Sequence, residues 1–350
     1  MNPEHLLAPT TKFTSLHTMA WLALDEVKDL SSRILQSCGA TPFQSDATAR
    51  SIRDAEADGI RNVGLGYLPT YAEHLLCGKV NGTATPTLSS PRSAVVLVDA
   101  QQGFCHPAFE FGEDHLVAAT KSCGIGMMSI SHSYSAGVLG WFVERLAQQG
   151  LVAMMFANSS SAVSAAGGRR PFFGTNPIAW ATPRQDGSCV VADFSTSVVA
   201  WVKVNTAAQA GEPIPLGWAL DVDGNPTTNA QAGLDGSMAP AAGHKGTALA
   251  LLVDILAGGI TGSNFSFESS SFGDKIGGPP DVGQVIIAID PTPTAGSGFL
   301  QRIETELTAL TSDQGVRLPG DQRLAHRLDA QVSGVEVPTP LLDTLHSFLT

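Results

Sequence analysis

The 350-residue sequence predicts an α/β protein, because apolar segments of strand length alternate with segments of helical periodicity. Glycine, aspartate or polar residues bound the apolar segments, as is common for strands. The predicted strands of the central part are 94–98, 126–130, 152–156 and 190–193. The predicted helices between them are 115–123 and 138–149. Together these segments predict a sheet that is covered by helices.

The N-terminal part predicts three helices. The first is 25–38, and Gly39 supplies its left-handed stop. Its four apolar side chains share one face: Val27, Leu30, Ile34 and Leu35. A second and more solvated helix is predicted over 45–58, with Ser45 as its N-cap. A third is predicted to run from Tyr67 to Cys77.

The C-terminal part predicts one strong strand, 285–290, and helices over 296–310 and 338–349. The most apolar stretch, 248–260, contains Asp254 and ends in two glycines, so it is predicted to be a buried helix. It is too short to span a bilayer, which takes about 20 apolar residues. The glycine-rich segment 273–283 is predicted to be a loop, either a lid or a subunit contact.

The net charge and the cysteine content disfavour several classes of binding partner. A net charge of -12 disfavours nucleic acid and anionic membranes, which attract clustered lysine and arginine. The five cysteines include no Cys-x-x-Cys pair, which favours neither a disulfide framework nor a zinc site and fits a reducing cytoplasm. The nine histidines lack the spacing of metal ligands, and the N-terminus lacks the pattern of a signal peptide. The expected partner is a small molecule.

Four short blocks occur in a characteristic order: Gly-Thr-Asn-Pro at 174–177, Asp-Phe-Ser-Thr-Ser at 193–197, Gly-Trp-Ala-Leu at 217–220 and Gly-His-Lys-Gly at 243–246. In this order the chain resembles the type-2 malate/L-lactate dehydrogenase family, over roughly residues 55–320. That family also holds sulfolactate dehydrogenases and cyclic imino-acid reductases. The resemblance implies a sheet domain that binds a nicotinamide without the Rossmann topology, and a homodimer with its site near the interface.

The resemblance also implies how the chain is divided. Residues 91–295 would form the α/β cofactor-binding domain. Residues 23–90 would form a helical region that packs with 296–350. The scattered polar residues of the N-terminus themselves predict that 1–22 form a loose arm. The glycine pattern of a Rossmann site, Gly-x-Gly-x-x-Gly between a strand and a helix, is missing from the chain.

The prediction that the protein binds NADPH or NADH therefore depends on the resemblance alone. The implied contacts are Ala136, Gly137, Val138, Leu139, Gly140, Asp193, Phe194, Ser195, Lys245, Arg317 and Arg323. Small residues at 136–140 permit close approach of a pyrophosphate to the start of a helix, where free N–H groups point outward. Lysine and arginine can balance the phosphate charge.

On the substrate side, this chain departs from the family it resembles. The acid/base histidine of relatives falls on Val63, and their carboxylate-binding arginine falls on Tyr67. A second histidine falls on Ser135, and an aspartate falls at or next to Lys203. Imidazole transfers protons near neutral pH, whereas an isopropyl group cannot. The sequence therefore predicts altered chemistry on a reductase scaffold.

The remaining polar groups define the predicted substrate site. Thr175 and Asn176 are expected to face the substrate or nicotinamide, together with Tyr67. Tyr134 or His132 could replace the missing imidazole. A phenol has an ordinary pKa of about 10, which a nearby ammonium such as that of Lys203 would lower.

These losses favour a substrate that demands little acid catalysis. Reduction of a ketone creates an alkoxide, whereas reduction of a cyclic iminium gives a neutral amine. We therefore expect reduction of Δ1-pyrroline-2-carboxylate or Δ1-piperideine-2-carboxylate to L-proline or L-pipecolate. One alternative is a 2-hydroxy-acid dehydrogenase acting on malate, lactate or sulfolactate. Another is a non-catalytic protein that binds a nicotinamide or a carboxylate. The choice between NAD and NADP stays open.

Overall fold

Helices and strands alternate along residues 19–350, the part of the chain that the computed structural model describes. The helices are α1 (Leu24–Ser37), α2 (Pro42–Ala57), α3 (Leu68–Leu76), α4 (Cys105–Cys123), α5 (Leu139–Gln148), α6 (Trp201–Ala210), α7 (Ala230–Asp235), α8 (His244–Asp254), α9 (Thr292–Ala295), α10 (Phe299–Thr311), α11 (Asp321–Ser333) and α12 (Thr339–His346). Short 3₁₀ turns occupy Arg61–Val63, Gly296–Gly298 and Ser347–Leu349, and a π-helical stretch, Ile255–Ile260, follows α8.

The strands form three sheets. In chain order they are β1 (Met19–Leu22), β2 (Thr87–Arg92), β3 (Val95–Asp99), β4 (Ile125–Ser133), β5 (Val152–Ala157), β6 (Val163–Ser164), β7 (Pro171–Phe173), β8 (Ile178–Pro183), β9 (Cys189–Phe194), β10 (Ala219–Leu220), β11 (Pro226–Thr227), β12 (Ser237–Met238), β13 (Val282–Ile289) and β14 (Val335–Pro338). The largest sheet has seven strands in the order β2-β3-β4-β13-β5-β8-β9. The predicted α/β class is confirmed.

Only one pair of neighbours in the seven-stranded sheet is parallel. The strands β3 and β4 run parallel, while every other neighbouring pair is antiparallel. Parallel neighbours need a long crossover, and α4 supplies it. The strand β13 comes from far along the sequence and lies between β4 and β5. Its near-continuous apolar sequence suits a strand that is buried on both faces.

The helices α4 and α5 cover the sheet and form its core. Phe109 and Leu116 of α4 and Phe142 and Leu146 of α5 are fully buried there. Each such side chain contributes about 1.5 to 3 kcal/mol by its burial. The helix α4 begins at Cys105, ten residues earlier than predicted. Pro107 lies in its first turn, where proline is tolerated, and Gly112 allows the helix to pack closely on Met128 of the sheet.

Helices from the two chain ends pack together. The helix α2 contacts α11, and α3 contacts α12. The strands β1 and β14 join the ends directly, with Met19 opposite Pro338 and Leu22 opposite Val335. Residues 19–22 of the predicted loose arm are therefore a paired strand, and residues 1–18 lie outside the described residues. The boundaries at 90 and 296 stay a prediction.

The helix α2 differs from the prediction in two ways. It begins at Pro42, and its N-cap is Thr41, whose hydroxyl accepts the N–H of Gln44. It is also largely buried rather than solvated, because α1, α4 and α11 all pack against it. Small residues such as Ala47 and Ala49 permit this close packing.

A five-stranded sheet of short strands, ordered β11-β10-β12-β6-β7, forms a separate layer with α6 and α7. The helix α8 carries much of the apolar stretch that was predicted to be a buried helix. That prediction is wrong for one face of the helix, where four side chains are 40 to 48% exposed: Leu249, Leu251, Leu252 and Ile255. Within residues 19–350, no helix is long and apolar enough to cross a membrane.

Candidate functional site

The first turn of α5 lies against the end of β9. The N–H of Gly140 donates to Oδ2 of Asp193 over 2.8 Å, which satisfies one of the free donors of the helix start. Gly137 has φ of +62°, a conformation that favours glycine. A β-carbon on Gly137 would lie 3.3 Å from the hydroxyl of Tyr71. The structure thus brings the predicted segment 136–140 and Asp193 together at the positive end of a helix.

A cavity of 540 Å³ opens beside this contact. Asp193, Phe194 and Arg323 line it, together with Gly320 and Trp180. A cavity of a few hundred Å³ that combines apolar and polar walls is typical of small-molecule sites. Three of the predicted cofactor residues, Asp193, Phe194 and Arg323, therefore line one cavity of small-molecule size. A second cavity of the same volume, between β1 and α11, contains none of the predicted site residues.

The guanidinium of Arg323 is less free than predicted. It lies 3.2 Å from Asp58 and 3.2 Å from Glu144, and only 11% of its side chain is exposed. Arg327 binds the same two carboxylates. These two arginines and two acids compensate one another, so Arg323 has little net charge to offer a phosphate. Its role in cofactor binding stays a prediction.

The segment after β9 leads toward the N-terminus of α8. The N–H of Ala241, just before α8, donates to the carbonyl of Thr196 over 2.8 Å. Ser195 bonds to Ser197 in the same segment. Lys245 is exposed in the first turn of α8, where an anion would also meet the helix dipole. Arg317 is exposed in the segment before α11. Both stay predicted phosphate ligands.

The predicted substrate residue Tyr67 belongs to an aromatic cluster, which we define as Tyr67, Tyr71, Phe104, Tyr134 and Phe272. Consecutive ring contacts have centroid distances between 4.9 and 5.9 Å. Tyr67 is partly exposed, whereas Tyr71, Phe104 and Tyr134 are buried. The hydroxyl of Tyr71 reaches the segment that leads to α5, because a β-carbon on Gly137 would lie 3.3 Å from it. The cluster therefore adjoins the predicted cofactor segment.

The hydroxyl of Tyr134 is hydrogen bonded to Nδ1 of His74, and the phenol of Tyr67 lies close enough to influence its ionisation. Burial raises the pKa of Tyr134 well above its ordinary value, and the neighbouring phenols of Tyr67 and Tyr71 raise it further. Burial also raises the pKa of Tyr67 to about 12. The expectation that an ammonium lowers the pKa of Tyr134 is therefore wrong. As isolated groups, these phenols are poor proton donors at neutral pH.

Lys203 and His132, the other two predicted catalytic residues, lie elsewhere in the structure. Lys203 is exposed on α6 and is not among the groups that contact Tyr134. His132 has φ of +47°, and its Nδ1 lies 3.2 Å from Asp99 at the end of β3. The ion-pair partner of His132 is thus outside the aromatic cluster, and the His132 side chain is 43% exposed. Catalytic roles for both residues stay predictions.

Thr175 and Asn176 have different surroundings. Thr175 is partly buried, and its hydroxyl lies 3.5 Å from that of Ser159. Asn176 is fully buried, donates to the carbonyl of Ala250 over 2.9 Å and accepts from Ser266 over 3.1 Å. The expectation that Asn176 faces a ligand is not met, because its amide is already bonded on both sides within the protein.

The loop with the missing imidazole rests on a buried carboxyl group. Val63 is half-buried at the end of the 3₁₀ turn. Glu56, only 3% exposed, accepts the N–H of Leu65 over 2.6 Å. Burial raises the pKa of Glu56 to about 7, although the bond to Leu65 and the charge of Arg61 oppose that shift. No periodicity or motif in the sequence marks Glu56 as part of the site.

The sequence analysis also did not identify His74 or Lys79 as candidate site residues. Nε2 of His74 lies 2.9 Å from the carbonyl oxygen of Asp274. Lys79 is 1% exposed, and its ammonium donates to the carbonyls of Ser271 and Asp274. These bonds hold the loop 271–281 over the aromatic cluster, where Phe272 packs on Tyr134. The partners are about 200 residues apart, so no local pattern could have predicted the contact.

Comparison with known proteins identifies relatives over nearly the whole chain. The sequence profile described as malate/L-lactate dehydrogenase matches residues 22–346. A (2R)-3-sulfolactate dehydrogenase (NADP(+)) of Chromohalobacter salexigens is 42% identical over 93% of this chain and 97% of its own. A Δ1-pyrroline-2-carboxylate reductase of Burkholderia ambifaria is 39% identical over 94% of this chain and 97% of its own.

A solved structure shows the same similarity. The Δ1-piperideine-2-carboxylate reductase of Pseudomonas syringae pv. tomato superimposes with a TM-score of 0.90. It is 36% identical, and the match covers 94% of this chain and 99% of that one. The arrangement of sheets and helices is therefore shared between the two proteins.

Proposed function

The chain belongs to the malate/L-lactate dehydrogenase family of oxidoreductases, and from that premise we propose that it reduces a cyclic 2-imino acid with NADPH or NADH. The products would be L-proline from Δ1-pyrroline-2-carboxylate or L-pipecolate from Δ1-piperideine-2-carboxylate. Relatives named for these reductions are 36 to 39% identical to this chain.

One observation carries the proposal: the polar groups that replace the missing imidazole are phenols with raised pKa values. A ketone needs a proton donor in or near the transition state, because its oxygen becomes an alkoxide. An iminium becomes a neutral amine and needs none. A site without a good acid in contact with the substrate therefore suits an imine better than a 2-oxo acid.

The residues around α5 support nicotinamide binding. When bound, the nicotinamide supplies the hydride. The small residues of the segment 136–140 would let the dinucleotide approach the backbone closely, and Lys245 and Arg317 would meet the phosphates with positive charge. Asp193 fixes the position of this helix start through the N–H of Gly140. Thr175 and the hydroxyls of Tyr67 and Ser135 would orient the substrate.

A substrate panel tests the proposed function. With saturating NADPH and, separately, NADH, kcat/KM for the two cyclic imines should exceed that for pyruvate, oxaloacetate and sulfopyruvate by at least about tenfold. The margin follows from general acid catalysis, which contributes roughly a hundredfold or more where it operates. Equal or faster turnover of a 2-oxo acid contradicts the proposal. Binding of NADPH without turnover of any substrate supports a non-catalytic nicotinamide-binding protein instead.

The alternative is dehydrogenation of a 2-hydroxy acid. The sulfolactate dehydrogenase that is 42% identical to this chain favours it. In that case Tyr134 or His132 would have to act as the acid. The raised pKa of Tyr134 argues against this alternative, because a buried phenol gives up its proton reluctantly.

We propose that a second copy of the chain covers the exposed face of α8. We also propose that the resulting dimer is cytoplasmic. The exposed face of α8 carries Leu249, Leu251, Leu252 and Ile255, and Ile260 beyond it is 50% exposed. A contiguous apolar face of this kind marks an interaction surface. All five cysteines are free thiols, which suits a reducing compartment. Sedimentation equilibrium should give twice the 36.4 kDa chain mass; a monomer at micromolar concentration contradicts the dimer.

A further inference from the structure

A histidine is buried beneath the predicted cofactor segment without a hydrogen bond. His106 lies in the first turn of α4 and is 1% exposed. Neither of its ring nitrogens has a hydrogen-bond partner among residues 19–350. His74 shows the ordinary arrangement, since both of its nitrogens are bonded. Buried polar groups nearly always have a partner, so the imidazole of His106 is an exception.

Two aromatic side chains of α5 hold this imidazole in place. The ring of His106 stacks on that of Phe142, with 5.2 Å between the centroids and 23° between the planes. Trp141 meets the imidazole edge-on, with a centroid distance of 5.5 Å. Both aromatic residues lie in the first turn of α5. His106 is therefore in contact with the helix whose start belongs to the predicted cofactor segment.

The backbone of Gly137 lies on the Nε2 side of the imidazole. A β-carbon on Gly137 would lie 3.8 Å from Nε2 of His106 and 3.3 Å from the hydroxyl of Tyr71. Because glycine has no β-carbon, no side chain of residue 137 fills the space between the imidazole and the backbone. The φ of Gly137, +62°, also favours glycine there. The segment can therefore move toward Nε2 without a clash of its own side chain.

The imidazole of His106 is neutral and lies near a possible acceptor. Burial lowers the pKa of His106 to about 3, and the backbone of Ala136 only partly opposes this shift. A neutral imidazole offers one N–H donor and one acceptor. The carbonyl of Ala136 belongs to the peptide group that joins Ala136 to Gly137. It is close enough to influence the ring, yet no hydrogen bond joins the two.

We infer that His106 is a positioning residue for the cofactor segment, and that its Nε2–H donates to the carbonyl of Ala136 when the dinucleotide binds. This inference rests on the proposed function, because it takes the segment 136–140 as a cofactor contact. In the free protein the unpartnered nitrogens cost free energy, since water and protein partners are both missing. Binding of the dinucleotide moves the segment onto the imidazole and supplies the partner.

A histidine that only fills space would behave differently. Its contribution would be the same in the free and the bound protein, so its replacement would leave cofactor affinity unchanged. Any effect would also follow the shape of the new side chain rather than its ability to donate a hydrogen bond. The positioning role therefore predicts a loss of affinity that a side chain with an N–H group restores.

The test compares two variants of His106. His106→Leu removes both nitrogens at a similar volume, whereas the amide nitrogen of His106→Gln can take the place of Nε2. His115→Leu, at an exposed position of the same helix, is the matched control. Fluorescence titration should show that His106→Leu raises the Kd of NADPH by roughly three- to tenfold, the effect of one neutral hydrogen bond. His106→Gln should restore most of the affinity, and His115→Leu should leave it unchanged.

Steady-state kinetics separates positioning from catalysis. In His106→Leu the KM for NADPH should rise with the Kd, while kcat for the cyclic imine stays within about twofold of the parent value. Thermal unfolding first establishes that each variant folds. An unchanged Kd in folded His106→Leu overturns the inference. So does a loss of affinity in His106→Gln as large as that in His106→Leu, because the shape of the ring would then be the cause.

A second measurement observes the imidazole directly and does not need a variant. Nitrogen-15 NMR of histidine-labelled protein should show that His106 stays neutral throughout the neutral pH range. Saturating NADPH should move its N–H proton downfield and slow the exchange of that proton with water, because a hydrogen bond forms. A His106 resonance that NADPH leaves unchanged overturns the inference. A parent protein that binds NADPH but reduces no cyclic imine contradicts the proposed function alone, and both measurements still decide the role of His106.

Discussion

The predicted cofactor side and the predicted substrate side of this site are built on different physical principles. On the cofactor side, Asp193 receives a backbone N–H at the start of α5, and glycines allow close approach. On the substrate side, the phenol of Tyr134 bonds to the imidazole of His74 inside an aromatic cluster. The first arrangement depends on backbone geometry and fixed charge. The second depends on which buried groups carry a proton, so the two sides should respond differently to pH and to single substitutions.

Glu56 provides the larger test of this comparison, because it supports the substrate-side loop and titrates. Its pKa is raised to about 7 from an ordinary 4.5. A raised pKa makes ionisation unfavourable in the fold, so the protein loses stability as pH rises from about 4.5 to about 7. The loss is about 3 kcal/mol, since each pKa unit corresponds to about 1.4 kcal/mol. Glu56→Gln removes this loss and can still accept from Leu65.

We therefore expect the stability of Glu56→Gln, relative to the parent protein, to rise by about 3 kcal/mol between pH 4 and pH 8. Urea unfolding at both pH values measures this difference, and Glu212→Gln at an exposed carboxyl is the matched control. A difference that stays constant across this range would show that Glu56 has the same pKa in the folded and the unfolded protein, and the substrate side would then lose its distinction as the proton-dependent side.

Lys245 provides the smaller test, on the cofactor side. If its ammonium meets the dinucleotide phosphates, Lys245→Ala should weaken NAD(P)H binding by about 1.5 to 3 kcal/mol, the range of a charge-assisted hydrogen bond. Fluorescence titration measures the Kd, which should rise by roughly tenfold to a hundredfold. Lys121→Ala, at an exposed lysine of α4, is the control. An unchanged Kd in Lys245→Ala removes this residue from the site.

Local patterns predicted the elements that local forces determine. The apolar face of α1 and the stop at Gly39 gave the first helix to within one residue at each end. The apolar run of β13 predicted a strand whose neighbours come from elsewhere in the chain. The sequence could not reveal that α4 starts at Cys105, because the fit of Gly112 against Met128 is a tertiary contact.

The candidate site was less predictable, for the same physical reason. The resemblance placed both Asp193 and Gly140 among the predicted cofactor contacts. In the structure, the two residues are hydrogen bonded to each other. Asn176 was predicted to face a ligand, but its amide is bonded to Ala250 and Ser266, which are 74 and 90 residues away. The contact of His74 with Tyr134 spans 60 residues. Periodicity and motifs carry no information about such pairs.

The tether formed by Lys79 has a consequence for how the protein responds to ionic strength. The exposed pair of Lys275 and Glu73 reaches from the same loop to α3, but mobile ions can surround it, and at 1 M salt the screening length is only about 3 Å. The ammonium of Lys79 is 1% exposed and binds carbonyl oxygens where few ions can enter. The bonds of Lys79 that hold the loop over the aromatic cluster are therefore insensitive to salt. A high salt concentration would weaken the outer pair of Lys275 and Glu73 first.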